Sequence, residues 1–485
     1  MKRGRTGTTL RRIGIGLGAL LLILLCVVTV RSFLGEDPPA GEPALEVGFD
    51  AARASEVLGT YVRWESTGRV ERDPRPPHLD LLVERYAEPL GLEHRVLDGT
   101  TLLLAWRAGE VHDHPLLLLS HSDVVPVADD ELDSWTYPPF DGTVADGYVW
   151  GRGTLDDKGA TIAQLEAIAA MQAAGMRPHR DVLLLISPDE ERGGRDGVGR
   201  VLERHASYVG EPWAVLDEGS FVASDFLPNR WIVPIAVAEK RYVTIRLSVV
   251  AEAGHSSMPR ENAAPRVLSS ALGHLADLEH PIEMLPPTEA FLDRLAGHVP
   301  FLSRVALRNR WLFGPMVRSM LTERPASNAM IRDTHAITIL EAGITDNVVP
   351  ARATATVNLR LLPGSDWPAV RRRIESAIDD PRVTLEVLRD EGASPISPIE
   401  GEVWTRLETA LASAYPGDDH VIAPMITPAT TDARYFASRG VPTYRFIPFV
   451  LDANERGRVH GVDERVSIEN LEEAARVYAH LLRYW

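Results

Sequence analysis

The chain has 485 residues, too many for one ordinary hydrophobic core, so two or more folded units are expected. Its composition is 45% hydrophobic and 25% charged, with Gly and Pro spread throughout and no internal repeat, which is that of a globular protein. Apart from six cations beside an apolar N-terminal stretch (Lys2, Arg3, Arg5, Arg11, Arg12 and Arg31), 45 cations face 68 acids. That net charge of −23 argues against nucleic acid or an anionic surface as a partner for the main body.

The basic segment 1–12, MKRGRTGTTLRR, precedes IGIGLGALLLILLCVVTV (13–30), 18 residues without a charge. Such a run is long enough to span a bilayer, and the basic flank favours an N-in orientation. It reads as a single-pass transmembrane anchor behind a cytoplasmic stub, with an extracytoplasmic body. A cleaved signal peptide is the alternative, although no A-x-A-like site follows. Cys26, the one cysteine, lies inside this segment, so no intrachain disulfide can form. The Pro/Gly/Glu-rich residues 31–47 read as a linker.

From 48 to 237, apolar strand-like runs (TLLLAW, PLLLLS, DVLLLIS, WAVLDEG) alternate with helical stretches such as GATIAQLEAIAAMQAAG. That alternation is the signature of an α/β domain with a mainly parallel sheet. At 238 the pattern changes. KRYVTIRLSVV alternates as a half-exposed strand, followed by the helical NAAPRVLSSALGHL, the strands AITILEAG and ARATATVNLRLLP, the helix WPAVRRRIESAI and the strand VTLEVLR. This is a β-α-β-β-α-β, ferredoxin-like α+β unit over 238–392. The Pro-, Phe- and Trp-rich stretch 280–330 is an insertion within it. From 393 to 485 the α/β character returns, so the first domain is interrupted by the second.

Ligands of open α/β sheets gather at the carboxyl ends of the strands. There PLLLLS ends in His121-Ser122-Asp123, DVLLLIS runs into Asp189-Glu190-Glu191, and WAVL runs into Asp217-Glu218. WGRGTLDDKG sets Asp156 and Asp157 in a Gly-rich loop opening a helix, and His460 follows the strand-like VPTYRFIPF. So many carboxylates on one edge repel each other unless a cation sits among them. Two histidines with three or four carboxylates suit a paired divalent site, with Zn²⁺ the best match to these donors. Paired metals of this kind give hydrolysis, and a further carboxylate must serve as base, which Glu190 beside Glu191 offers. Each motif alone is commonplace; their conjunction, each after its own strand, carries the weight.

At these residues the sequence resembles the dizinc metallopeptidase family M20, which includes aminoacylase, carboxypeptidase S and succinyl-diaminopimelate desuccinylase. HSDVVPV, WTYPPFDGTVADGYVWGRGTLDDKG, DEERGG, LDEG, GHSSMP, NAMIR, NVVPARATATVNLRLLPG, TTDARYF and HGVDERVS carry the likeness, which runs from about residue 50 to 485. Within the family they resemble the subgroup of N-fatty-acyl-amino-acid synthase/hydrolases and carboxypeptidase S. The resemblance implies two Zn²⁺ per subunit, with Mn²⁺ or Co²⁺ as substitutes. By it, His121 binds one zinc with Asp123 orienting its imidazole, Asp156 bridges both metals, and Glu191 and His460 hold the other. Glu190 is the implied general base. The last ligand is Asp217 or Glu218, with Asp217 at the strand end slightly favoured. The inserted domain is implied to be a lid that can pair two subunits, with His255 and Asn347 near the oxyanion and Arg360 clamping the substrate carboxylate. Thr431 and Arg434 look like further pocket residues.

The expected function is therefore metal-dependent hydrolysis of the amide of a small-molecule substrate, an N-acyl (N-fatty-acyl) amino acid or small peptide with a free carboxylate, reversible when both products are abundant. A carboxypeptidase acting on short peptides is the first alternative, and a non-catalytic acyl-amino-acid binding protein is one of another class. The apolar content of 280–330, with Phe301, Trp311 and Phe313, leans towards a fatty-acyl pocket.

Overall fold

The computed structural model describes residues 4–35, 40–67, 76–109, 112, 114–417 and 419–485, with backbone alone for 4–14. The first three residues of the basic segment and residues 36–39 of the linker lie outside the described residues.

The strands that matter here are β1 (Glu93–Leu97), β2 (Thr101–Trp106), β3 (Leu116–His121), β4 (Val182–Ser187), β5 (Ala214–Leu227), β6 (Arg230–Glu239), β7 (Arg241–Val250), β8 (Thr334–Ala342), β9 (Arg352–Leu361), β10 (Val383–Asp390), β11 (His420–Thr427) and β12 (Thr443–Leu451). Eight of them form one sheet in the order β1-β2-β4-β3-β5-β12-β6-β11. The pairs β3–β4, β3–β5, β5–β12 and β6–β11 are parallel. Every residue of β3 and β4 is buried, which explains why their sequences are continuous Leu/Ile runs without alternation: both faces are covered.

One cover is helix α3 (Lys158–Ala173), buried along nearly its whole length, with α10 (Ile468–Tyr484) packed against it. Its alanines at 160, 163, 167, 169 and 170 let it lie close to its neighbours. Ser467 caps α10 by accepting from the Asn470 N–H at 3.0 Å.

Residues 241–390 build a second, antiparallel sheet in the order β8-β9-β7-β10, with helices α4 (Ala264–Ala276) and α8 (Trp367–Ile378) on one face. Val243, Ile245, Leu247 and Val249 alternate with more exposed positions along β7 and pack on Leu268 and Ile374 of the two helices.

The stretch 280–330 contains helices α5 (Pro286–Ala296), α6 (Phe301–Arg308) and α7 (Arg310–Thr322). Its packing departs from its place in the sequence. Phe291, Leu292 and Leu295 of α5 bury against Ile232 of β6 and Val421 and Ala423 of β11, the far edge of the main sheet. Nor do its aromatic residues form the expected acyl pocket. Phe301 lies against Phe33, ring centroids 6.1 Å apart, while Trp311 is exposed and Phe313 is half-buried beside α5. The buried Lys240, between β6 and β7, donates to the carbonyls of Ala329 (3.2 Å) and Arg332 (2.9 Å) and to Thr334 Oγ1 (3.0 Å).

Helix α1 (Gly4–Phe33) contains a stretch, Ile15–Phe33, that is long and apolar enough to cross a membrane, with a mean hydropathy of 2.3.

Leu118 sits in the centre of β3 with no exposed surface. Leu118→Ala is expected to cost about 3 kcal/mol through lost burial and an unfilled cavity. The urea unfolding midpoint should fall with an unchanged slope.

Candidate metal centre

β3 pairs with β5 only as far as Leu216, so the carboxyl ends of β3 and β4 open beside the middle of β5, where Asp217 and Glu218 lie within the strand and not at its end. His121, the last residue of β3, is buried there. Its Nδ1 lies 2.9 Å from the main-chain carbonyl of Asp123. A carbonyl can only accept, so Nδ1 carries the proton and Nε2 faces the site. Nε2 is 2.9 Å from Asp156 Oδ1 and 3.5 Å from Glu218 Oε1. On the other side, His460 Nε2 is 3.0 Å from Asp156 Oδ2 and 3.2 Å from Glu191 Oε1. One carboxylate thus stands between two imidazoles, an oxygen turned to each. Glu190 joins the same cluster: ligand atoms of His121, Glu190 and Glu218 lie within 4.8 Å of one another, as do those of His121, Asp156 and Glu191.

The turn carrying Glu190 and Glu191 is shaped by its backbone. Asp189 adopts φ +77°, and Gly193 and Gly194 are also left-handed. A Cβ on Gly194 would overlap the Asp432 carboxylate, so only glycine fits. The expected role of Asp123 changes in detail. Its carboxylate oxygen is 3.6 Å from His121 Nδ1, and its oxygens instead accept from the N–H groups of Glu190 (3.1 Å) and Glu191 (3.2 Å). Asp123 therefore orients the histidine through its carbonyl and the glutamate pair through its side chain.

Alternation along β5 turns Asp217 and Glu218, the two alternatives for the last ligand, to opposite sides. Asp217, slightly favoured from the sequence, turns away: its Oδ1 accepts from the Glu218 N–H (2.9 Å) and its Oδ2 from the Ala433 N–H (2.7 Å). Glu218 is the one that faces His121.

The charges here are in conflict. Burial, then repulsion from Asp156 and Glu190, pushes the Glu218 carboxyl well above its ordinary range. Burial likewise raises Glu190, with repulsion from Asp432 and Glu191 adding to it, and raises Glu191. Burial works against a charged His121, yet Asp123, Asp156 and Glu218 hold its pKa well above the usual value. Hydrogen bonds to Asp156 and Glu191 lift His460 to about 10. Oxygen and nitrogen donors crowded in this way are a set that divalent cations would hold together. The donor set contains no thiolate and fits Zn²⁺, Mn²⁺ or Co²⁺.

Comparison with known proteins gives the same direction. Residues 117–484 match the peptidase family M20/M25/M40. The probable carboxypeptidase S-like 2 of Dictyostelium discoideum is 33% identical over 81% of this chain and 76% of its own length. The chain belongs to peptidase family M20/M25/M40. The N-fatty-acyl-amino acid synthase/hydrolase of Homo sapiens is 32% identical over 81% of this chain and 78% of that protein. The crystal structure of an M20 family metallo-carboxypeptidase from Sulfolobus solfataricus superimposes with a TM-score of 0.67, at 18% identity, over 89% of this chain and 98% of that one. An M20 member with this donor set is a metal-dependent hydrolase.

The structure treats the remaining M20-like residues unequally. Arg360, on β9, stacks over Tyr242 with its guanidinium carbon 4.4 Å from the ring centroid, and donates to Thr430 Oγ1 at 2.7 Å. Thr431 and Arg434 turn inward rather than into a pocket. Thr431 donates its N–H and its hydroxyl to Glu239 Oε2, both at 3.0 Å. Arg434 is spent on the carbonyls of Thr431 and Gly193 and on Glu391, so it braces the turn behind Glu190. His255 and Asn347 lie on a short exposed ribbon in which Gly254–His255 pairs with Val348–Val349. Among the described residues, no hydrogen bond or ion pair joins either to the cluster.

Three groups escaped the sequence reading. Glu464, fully buried, accepts from the N–H groups of Gly153 and Leu155 (both 2.9 Å) and Asp156 (3.3 Å) and pairs with Arg152 at 2.6 Å. Burial pushes its carboxyl up to about 7. It cradles the loop that presents Asp156. The buried Arg445–Glu239 pair (2.8 Å) and Asp432, which accepts from Ser187 Oγ (3.1 Å), support the opposite wall. Glu464 lies four residues beyond His460 in HGVDE, so the signal was present but indistinguishable from a loop acid.

Glu464→Gln should loosen the Asp156 loop without touching a ligand. Metal affinity, read by competition with a chromogenic chelator, is expected to fall about 10- to 100-fold.

Proposed function

We propose that this M20 member is a dizinc amidohydrolase that releases an amino acid from an N-acyl amino acid or short peptide with a free carboxylate, and joins the two when both are abundant. The observation that supports it most is Asp156 standing between His121 and His460, with Glu190 buried beside them. His121 with Glu218, and His460 with Glu191, would each hold one cation, Asp156 serving both. When bound, such a pair supplies Lewis acidity for the scissile carbonyl and an acidified water.

The chain's own groups do the rest. Glu190 takes a proton from the attacking water and delivers it to the departing amine nitrogen; its raised proton affinity suits both halves of that task. Arg360 receives the substrate carboxylate, its plane pre-set by Tyr242 and Thr430. His255 and Asn347, carried together on one ribbon, approach the oxyanion when the second domain closes or a second subunit supplies it. Helix α1 holds the enzyme on a membrane with the catalytic domain outside the cytoplasm. A carboxypeptidase working on short peptides is the second reading, favoured by the likeness to the Dictyostelium carboxypeptidase S-like protein and by the same Arg360. An intact base and ligand set weighs against a binding protein without turnover.

The deciding assay is release of free amino acid from a panel of N-acyl amino acids and dipeptides, with and without chelator and added Zn²⁺. Chelator-sensitive release from long-chain acyl substrates is expected; a dipeptide preference moves the enzyme to the second reading. Glu190→Gln should retain bound metal while kcat drops by about 10³, and activity near wild type would sink the mechanism. Arg360→Ala should raise KM about 10- to 100-fold for substrates with a free carboxylate. It should leave the corresponding α-amides unaffected.

A further inference from the structure

The body of the chain is acidic, but residues 301–325 carry five arginines (304, 308, 310, 318 and 324) and one acid, Glu323. The same segment displays apolar side chains. Phe301 and Leu302 at the start of α6 are 51% and 80% exposed, and Trp311, Met316 and Met320 on α7 are 55%, 47% and 56% exposed. At the helical period, Trp311, Leu312, Pro315, Met316 and Met320 share one outward half of α7, while Gly314 and Val317 face inward. An isolated apolar side chain on a surface is ordinary; a helix face of them rimmed by arginine is not.

Where this face sits gives it a partner. The buried Asn309, between α6 and α7, donates its amide to the Val28 carbonyl and to Ser32 Oγ, both at 3.2 Å, and Phe301 meets Phe33. Val28, Ser32 and Phe33 are the last turn and a half of the apolar stretch Ile15–Phe33. At about 1.5 Å per residue, the α6–α7 corner is within about 8 Å of the end of that stretch along its axis. Amphipathic helices that lie in a bilayer interface bury their apolar face about 5–10 Å deep, with aromatic and basic side chains at headgroup level.

We propose that α6 and α7 form a membrane-interface docking surface, seated on the same bilayer that α1 enters. This rests on the reading of α1 as an anchor, and it adds a second point of attachment. One span alone leaves the catalytic domain free to swivel on its linker. Two contacts fix its orientation, with the outward face of α7 among lipid headgroups and the edge strand β11 above it. Arg308 and Arg310 are engaged with Asp293, and Arg304 with the carbonyls of Ala296 and Gly297. The exposed Arg318 and Arg324 are therefore the ones that pair with lipid phosphates, which lets a protein with an acidic body lie against an anionic surface.

The lone cysteine makes the test direct. Metal-loaded full chain is reconstituted in phosphatidylcholine/phosphatidylglycerol vesicles and spin-labelled at Cys26, or, in a Cys26→Ser background, at Leu302→Cys, Met316→Cys or Met320→Cys. Met258→Cys, exposed on the second domain, is the aqueous reference. Accessibility to oxygen and to a water-soluble nickel chelate gives the depth of each label. Cys26 is expected to be fully lipid-immersed, positions 302, 316 and 320 shielded from nickel at least fivefold relative to 258, and 258 water-like. Labels at 302, 316 and 320 as accessible as 258, with Cys26 in lipid, would overturn docking and leave the anchor standing. A Cys26 outside lipid would remove the anchor reading; shielding of 302 and 316 in vesicles but not in lipid-free buffer would still support docking. Shielding that persists without lipid, with dipolar broadening between copies, would assign the face to self-association and overturn the proposal.

Discussion

Negative charge crowded onto one buried edge is the constraint that the rest of the structure answers. Burial and acidic neighbours, Asp156 among them, raise the proton affinities of Glu190, Glu191 and Glu218, while the two imidazoles keep Asp156 ionised. Carboxylates so placed are tolerable only when every spare oxygen has a donor and positive charge is available among them. Backbone N–H groups meet Asp123, Asp217 and Glu464, and arginines meet Glu239 and Glu464. The central set around His121 and His460 relies on those two imidazoles for its positive charge.

The sheet supplies that edge at little cost in design. Its strands β3 and β4 are buried throughout, while β5 is buried and apolar only over Ala214–Leu216 and then runs on through Asp217 and Glu218. The polar residues of all three therefore begin near where β3 stops pairing with β5. Loops then bring the partners that strands cannot. Glu464 shapes the Asp156 loop from below, and Asp123 reaches sideways to set the glutamate turn. Glu191, proposed as a ligand, and Glu190, the proposed base, therefore share one positioning carboxylate.

Strand ends were the legible part. His121, Asp156, Glu190, Glu191 and His460 follow apolar runs or a glycine-rich loop, and they meet in space because parallel strands deliver their ends to one side. The choice between Asp217 and Glu218 was not legible, since alternation fixes opposite faces but not which face meets the site; that required the register with β3 and the Ala433 N–H. Arg434 and Thr431, expected as pocket residues, are hydrogen-bonded inward to Gly193 and Glu239, a direction that a motif does not record. The stretch 280–330 resisted reading because α5 buries its apolar side chains against β6 and β11, strands on either side of it in the sequence and far from it in number. His255 and Asn347 are legible only by resemblance: nothing in their own environment sets them apart from an exposed ribbon.

The excursion of the chain onto the main sheet between β7 and β8 has a mechanical consequence. An inserted domain usually hangs on two strands of polypeptide and can swing about them. Here the chain passes between the domains four times, near residues 240, 280, 332 and 392, and Lys240 clasps the first passage to the third through three acceptors. Fastened at that clasp, the second domain is tied to the main sheet where its first and third crossings meet, a stiffer joint than two separate strands of polypeptide would make.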